Sequence, residues 1–319
     1  MAQHTDIKLS HDAYTVGWIS PLEVEMSAAR YLLDEEHAPL EKEQGDPNYY
    51  TLGEINGHNV VIGSLPAGYQ GIASAATIAT HMRRSFPSIV LRLLVGIGGG
   101  VPSRKADIRL GDVAISMPTS THGGVVQYSL GKKKPDEFER KGFLCPPPTE
   151  WLAVLTRMMS DHRTRPNKVS DHLSSMIEKY PSLTVYKRPS PEKDILFLPN
   201  NIHVDENYDC GECDRTRVAI RTERNPPDQP VVHYGLIASG DWVMKDGLER
   251  DRISVASGGA ICFEMEAAGL MNEFPCIVVR GISDYADTHK NDEWHAYAAG
   301  SAAGLAKELL SYMDPSKPG

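Results

Sequence analysis

The chain has 319 residues, 41% of them hydrophobic and 24% charged, an ordinary globular composition that excludes collagen-like, coiled-coil and wholly disordered chains. Its 33 Lys and Arg stand against 42 Asp and Glu, a net charge of −9 that offers no overall field to hold nucleic acid or an anionic membrane, so neither is expected as a partner. The opening residues carry no apolar core of signal-peptide length, no later run approaches the ~20 apolar residues of a membrane span, and the five cysteines are an odd number partly set in apolar stretches. A soluble, cytoplasmic protein with free thiols is the expectation.

The first element predicted is a strand over Tyr14 to Ile19, followed by Ser20-Pro-Leu-Glu23, which reads as a helix start with Ser20 as N-cap and Glu23 completing a capping box. Further strands are predicted at Val60 to Leu65, Leu91 to Val95, Asp112 to Ser116, Tyr234 to Ser239 and Cys276 to Arg280, with helices over Gly71 to Arg84 and Glu293 to Met313. This alternation predicts a mostly parallel sheet flanked by helices. The charged stretch from Lys132 to about Arg188 predicts two amphipathic surface helices, around Trp151 to His162 and Val169 to Lys179, and the polar, proline-rich stretch from Pro189 to Pro230 shows little periodicity. Both read as insertions, at about 132–230, into one domain covering 1–319.

Three segments carry chemistry. Val95-Gly-Ile-Gly-Gly-Gly100 is a glycine cluster directly after an apolar strand, suited either to a tight structural turn or to a loop that lets backbone approach a ligand. A dinucleotide fingerprint would need Gly where Val101 stands, and no Walker loop is present, so no cofactor is expected. Cys262-Phe-Glu-Met-Glu266 and Val278-Val-Arg-Gly-Ile-Ser-Asp284 each deliver carboxylates at the end of an apolar strand, where α/β sheets bind ligands. A solvated acidic helix start for the first, and an Asp turn or N-cap for the second, are the structural alternatives. Cys210-Gly-Glu-Cys213 lies seven residues after His203, but the sequence names no fourth zinc ligand, and Asp6 and Asp12 are isolated where a calcium-binding Asp cluster would be required. No metal is therefore expected.

Taken in order, Ile19-Ser-Pro-Leu-Glu-Val-Glu25-Met, the Gly96 to Gly100 cluster with Leu110-Gly-Asp-Val113, and Phe263-Glu-Met-Glu266 with Arg280-Gly-Ile-Ser-Asp284 resemble the nucleoside phosphorylase and methylthioadenosine/S-adenosylhomocysteine nucleosidase superfamily. The resemblance covers about Val16 to Gly131 and Val231 to Tyr312. Gly123-Gly-Val-Val-Gln-Tyr128, the CxxC and Asp284-Tyr-Ala-Asp-Thr-His-Lys290 are similar to a fungal purine nucleosidase-like subgroup often found at the front of receptor-like NTPase proteins. No NTPase segment follows here, so a domain standing alone is expected. The resemblance implies a three-layer α/β/α fold around a mixed, partly closed central sheet. It implies cleavage of a purine–ribose bond, with Glu25 activating water, Glu266 holding the ribose hydroxyls and Asp284 protonating the base. Met265 would lie under the sugar, Val243 or Met244 would flank the purine, and Ile97, Gly98, Gly99, Phe263 and Glu264 would complete the substrate contacts.

The chemistry agrees with those residue types, since breaking an N-glycosidic bond needs an acid at the leaving base and a nucleophile on the other face of the sugar. On this scheme Asp284 needs a raised pKa and Glu25 must be ionised. Phosphorylases of this superfamily place Arg and Ser or Thr where this chain has Leu94 and Ile97, and a carboxylate at Glu25 repels phosphate, so hydrolysis is favoured. Nucleosidases usually carry Ser at Ile97, which leaves backbone N–H groups of Gly98 to Gly100 to help hold the water. The expectation is a metal-independent purine-nucleoside hydrolase of purine salvage. The alternatives are a phosphorylase, a nucleosidase of 5′-thio-substituted adenosines, or a nucleoside-binding sensor. A homo-oligomer is implied, with the segment His122 to Tyr128 as a contributor to a neighbour's 5′ pocket.

Overall fold

The computed structural model describes residues 7–119, 121–135, 138–204 and 210–315; Asp6, considered above as a calcium ligand, lies outside them. In chain order the elements are β1 (Val16–Ile19), α1 (Glu23–Tyr31), β2 (Glu35–Glu36), β3 (Tyr50–Ile55), β4 (His58–Gly63), α2 (Ile72–Ser85), β5 (Leu91–Gly100), β6 (Val113–Ser116), β7 (Val125–Gln127), β8 (Gly131–Lys133) and β9 (Phe138–Arg140). There follow α3 (Thr149–Asp161), α4 (Val169–Lys179), β10 (Val232–Gly235), β11 (Ile237–Ser239), α5 (Gly247–Ala256), β12 (Cys262–Glu264), β13 (Ile277–Asp284) and α6 (His295–Leu310). No helix among the described residues is long and apolar enough to cross a membrane.

The main sheet runs β10-β6-β13-β5-β1-β4-β3-β2. Its centre, β4-β1-β5-β13, is parallel, and the pairs β13-β6 and β3-β4 are antiparallel, which makes the sheet mixed as expected. The path ends at β10 and β2, so the sheet is not closed, against the partial closure expected. The reason lies at Leu236, which separates β10 from β11. β10 edges the main sheet, while β11 joins β7 and β12 in a branch whose β12 pairs antiparallel with Gly99 and Gly100 of β5.

Pleat parity sets the layers. Trp18 faces the same side as Leu93, and through β13 as Gly281, which is paired with Ile97. That side takes α6, with α1, α3 and α4 packed around it. Gly17 and Gly63 face the other side, where Ile78 and Met82 of α2 fill the space that Cβ atoms would take. Helix α6 is Ala- and Gly-rich because it lies inside the molecule: 13 of its 16 residues are buried. Helix α4, within the segment read as an insertion, seats Leu173 against Gly300 of α6 and buries Val169, Leu173 and Met176.

The helix start read at Ser20 is displaced. α1 begins at Glu23 with Leu22 as its N-cap, and the Ser20 hydroxyl donates to the Val95 carbonyl at 3.1 Å while accepting from Trp18 Nε1 at 2.9 Å. A small hydroxyl in the pleat between two buried strands satisfies the Trp18 indole N–H, which otherwise has no water to bond.

A Cβ on Gly281 would stand 1.8 Å from the Ala298 carbonyl oxygen. Gly281→Ala should therefore push α6 off the sheet and cost about 1–3 kcal/mol or more, as overpacking does, read from the urea midpoint at constant m-value. An unchanged midpoint would contradict this packing.

Candidate active site

The glycine cluster is neither turn nor loop. β5 continues through it, and none of Gly96, Gly98, Gly99 and Gly100 has a positive φ. What these positions lack is room. A Cβ on Gly96 would lie 2.3 Å from Glu25 Oε1 and 2.6 Å from Arg280 Nη1; on Gly98, 2.8 Å from the Phe263 carbonyl; on Gly99, 2.9 Å from Asp284 Oδ1. A bare strand thus lets three carboxylate-bearing segments close on it. Gly96 meets Glu25 and Gly99 meets Asp284, which sets the two carboxylates against points separated by about 10 Å of extended chain.

Glu25 stands in the first turn of α1. Its Oε2 accepts from Leu22 N–H at 2.7 Å and its Oε1 from Ile97 N–H at 2.7 Å. This is half a capping box, since Leu22 has no side-chain acceptor to return. The helix cap that orders the first turn therefore also aims the carboxylate at β5. Ile97 lacks a hydroxyl, and its N–H is spent on Glu25 and not on a water.

Arg280 of β13 is 1% exposed and gathers the acidic groups. Its Nη2 lies 2.5 Å from Glu264 Oε2 and 3.2 Å from Glu266 Oε2, and its Nη1 3.2 Å from the Ile97 carbonyl and 3.9 Å from Glu25 Oε1. Glu264 also accepts from Glu266 N–H and Ala267 N–H, so its oxygens hold the turn after β12 in shape. Glu266, 6% exposed, accepts from Gly71 N–H at 3.2 Å. The solvated helix start considered for this segment does not form; a short 3-10 turn over Ala267–Gly269 takes its place. One guanidinium faces three carboxylates, and burial adds to the imbalance. Burial pushes Glu25 up to about 7 against the opposing pull of Arg280 and of the Leu22 and Ile97 N–H groups, and burial with the neighbouring Glu264 also raises Glu266.

Asp284 lies at an irregularity of register between β13 and β5. Its Oδ1 accepts from Ala286 N–H at 2.8 Å, and its Oδ2 accepts from Ser283 Oγ at 2.8 Å and Lys290 Nζ at 2.7 Å. Burial acts to raise its pKa, but the Lys290 ammonium and these hydrogen bonds outweigh burial and hold it below the usual carboxylate range. The charge pattern expected from the sequence is thereby reversed: Glu25 is the carboxylate pushed toward neutrality, and Asp284 is the ionised one. The partner that decides this, Lys290, sits six residues past Asp284.

Glu25, Glu266 and Asp284 line one cavity of about 300 Å³ together with Ile97, Gly98, Gly99, Val243, Met244, Phe263, Glu264 and Met265. That volume is at the lower end of small-molecule sites. Each of these eleven residues, proposed from the sequence, is brought to this wall, whereas Gly100 and the His122 to Tyr128 segment are not on it. Gln70, Trp242, Arg280, Lys290 and His295 also line it and were not assigned. The available signal for Arg280 was a charge inside an apolar strand; for Trp242, half exposed at the mouth, there was none. Leu94, buried in β5, is not on the cavity wall.

Arg280→Met strips the cation from three buried carboxylates and should cost about 3–5 kcal/mol at neutral pH. Since protonation relieves unpaired carboxylates, the loss should shrink as pH falls toward 5; a small, pH-independent change in urea midpoint would contradict the arrangement.

No family model matches the chain. It is 43% identical over 308 residues, 96% of its length, to a nucleotide-binding leucine-rich repeat (NLR)-like protein of Hyaloscypha variabilis, of which it covers 30%. Over 87 residues it is 32% identical to the ATP nucleosidase Cap17 of Escherichia coli, covering 17% of that protein. The chain thus spans less than a third of the curated relatives it matches. Its structure superposes on the 5′-methylthioadenosine/S-adenosylhomocysteine nucleosidase of Streptococcus pneumoniae with a TM-score of 0.58 at 18% identity, covering 94% of this chain and all of the other. The chain therefore shares the fold of the 5′-methylthioadenosine/S-adenosylhomocysteine nucleosidases.

Proposed function

We propose that the chain hydrolyses purine nucleosides to free base and ribose without a metal in the reaction. The observation that carries this reading is the single cavity with Glu25, Glu266 and Arg280 at one end and the Asp284–Lys290 pair at the other. Glu25, poised near 7, takes a proton from water as the water oxygen bonds to C1′ of the ribose. The N-glycosidic electrons pass to the purine, which is protonated by the proton shared between Lys290 Nζ and Asp284 Oδ2. Glu266 accepts from the sugar hydroxyls and gains strength as positive charge builds on the ring. Proton release from Glu25 and recharging of the Lys290 pair through solvent close the cycle.

The electrostatics favour water over phosphate as the nucleophile. Arg280 is committed to three carboxylates and Lys290 to Asp284, so the described lining offers an incoming dianion no unpaired guanidinium or ammonium. The same argument favours a nucleoside over its phosphorylated forms. Trp242 and Val243 stand half exposed at the mouth, which suits completion of the 5′ end of the pocket by a neighbouring subunit of a homo-oligomer. The NLR-like relative supports a second reading, in which this pocket reports a nucleoside to a larger protein.

Glu25→Gln separates the two. Hydrolysis requires a loss of at least about 100-fold in kcat with purine binding retained, as measured by base release and calorimetry. Undiminished turnover removes Glu25 from the mechanism, and absent turnover in the wild type leaves the sensor. For the wild type, ionised Glu25 is the active form, so kcat/KM should rise with pH through an acidic limb near 7. A limb at the ordinary carboxylate range, about 4–5, would contradict the role assigned to Glu25.

A further inference from the structure

His203, Cys210 and Cys213 serve no step of that chemistry, yet the fold gathers them. Their ligand atoms all lie within 4.8 Å of one another, and among the described residues no other group of His, Cys, Asp and Glu is so placed. Cys213 is buried, and His203 and Cys210 are half-buried. The 3-10 turn Cys210–Glu212 brings Cys213 N–H to the Cys210 carbonyl at 3.3 Å, so both thiols turn to one side. Arg215 Nη2 fixes the Cys210 carbonyl at 3.1 Å, and His203 is held by its own N–H on Thr288 Oγ1 at 2.9 Å.

A second observation lies alongside. His289 is 8% exposed, its ring stacks on Phe197 at 3.9 Å between centroids, and its centroid is 5.3 Å from that of His203. Neither ring nitrogen of His289 has a hydrogen-bond partner, and Nδ1 of His203 has none either. His289 Nδ1 stands 3.6 Å from Asp287 Oδ1, beyond hydrogen-bond reach. Buried imidazole nitrogens without a hydrogen bond are costly, and a cation between them and two thiolates removes that cost.

We propose that His203, Cys210 and Cys213 bind one Zn²⁺ ion, with His289 as the fourth ligand. Two thiolates with imidazole nitrogens are a borderline-soft set that selects zinc over calcium or magnesium. The site is structural. It ties His203 and the Cys210–Cys213 turn to Thr288 and His289, and so braces the loop that carries Lys290 to Asp284. The sequence showed the CxxC and His203 but not the fourth ligand, because His289 arrives from a different part of the chain.

The test uses the full chain, reduced, stripped with a chelator, given one equivalent of Zn²⁺ and dialysed. The result expected is one zinc per chain by elemental analysis, with two of the five cysteines shielded from a thiol reagent until chelator is added, and a thiolate-to-metal charge-transfer band with Co²⁺ in its place. Cys210→Ser and His203→Ala should each weaken retention more than about tenfold, and Cys145→Ser should leave it unchanged. Should Cys213→Ser fail to fold, the half-buried Cys210 and His203 carry the test. No retained zinc, or thiols shielded until reductant and not chelator is added, overturns the site, and undiminished retention in His289→Ala overturns the fourth ligand. Metal content does not depend on turnover, so this outcome is separate from that of the nucleosidase reading.

Discussion

A guanidinium with no access to water has to find its counter-charges inside the protein, and the site is built around how Arg280 does so. Glu264 and Glu266 come from the end of β12 and the turn after it, and Glu25 from the first turn of α1, and Arg280 draws both segments onto β13. Burial disfavours the ionised form of these carboxylates, and one cation cannot fully offset that for three of them. Glu25, 3.9 Å away, is the most distant, and it is the one poised near 7. The same buried pair network that orders the elements thus sets the protonation of the group proposed to activate water.

The approach of these groups depends on what β5 leaves out. Side chains at Gly96, Gly98 and Gly99 would stand where Glu25, Phe263 and Asp284 now sit, and Gly98 and Gly99 form part of the cavity wall. The stretch 132–230 acts on the opposite end. Arg221 and Asp194 hold Tyr285, and Arg224 forms a two-pronged pair with Asp112, with bonds of 2.6 and 2.7 Å. Arg250 of α5 adds a bond of 2.7 Å to the Tyr285 carbonyl. Tyr285, between Asp284 and Lys290, is therefore held both at its hydroxyl and at its carbonyl.

Much of this was legible in residue order. Apolar runs predicted β1, β4, β5, β6 and β13 within a few residues, Glu266 and Asp284 were marked by carboxylates at the ends of apolar strands, and Glu25 was marked by the family resemblance alone. What escaped was set by tertiary contact. The glycine cluster read equally as a turn or a ligand loop because strand glycines are unfavourable unless something presses against them, and the pressing groups, Glu25 on one side and Phe263, Arg280 and Asp284 on the other, are distant in sequence. Asp284 was assigned a raised pKa because the scheme needs an acid at the leaving base; the Lys290 ammonium that lowers it instead reaches back from the following loop. Helix α5 was missed because its buried face centres on Arg250 and Ile253, with no apolar stripe to announce it, and only Asp246, which caps it at 2.9 and 3.0 Å, signalled its start. Leu236, one residue, decides that the sheet stays open.

The central claim is that water, not phosphate, attacks the sugar in this cavity. The most direct measurement is to incubate the chelator-treated protein with inosine and with adenosine, with and without phosphate, and to quantify base, ribose and ribose 1-phosphate. Equal base release in both conditions with free ribose as the sugar product is the result predicted. Release that requires phosphate and yields ribose 1-phosphate would contradict the reading of Glu25, Arg280 and Lys290 together.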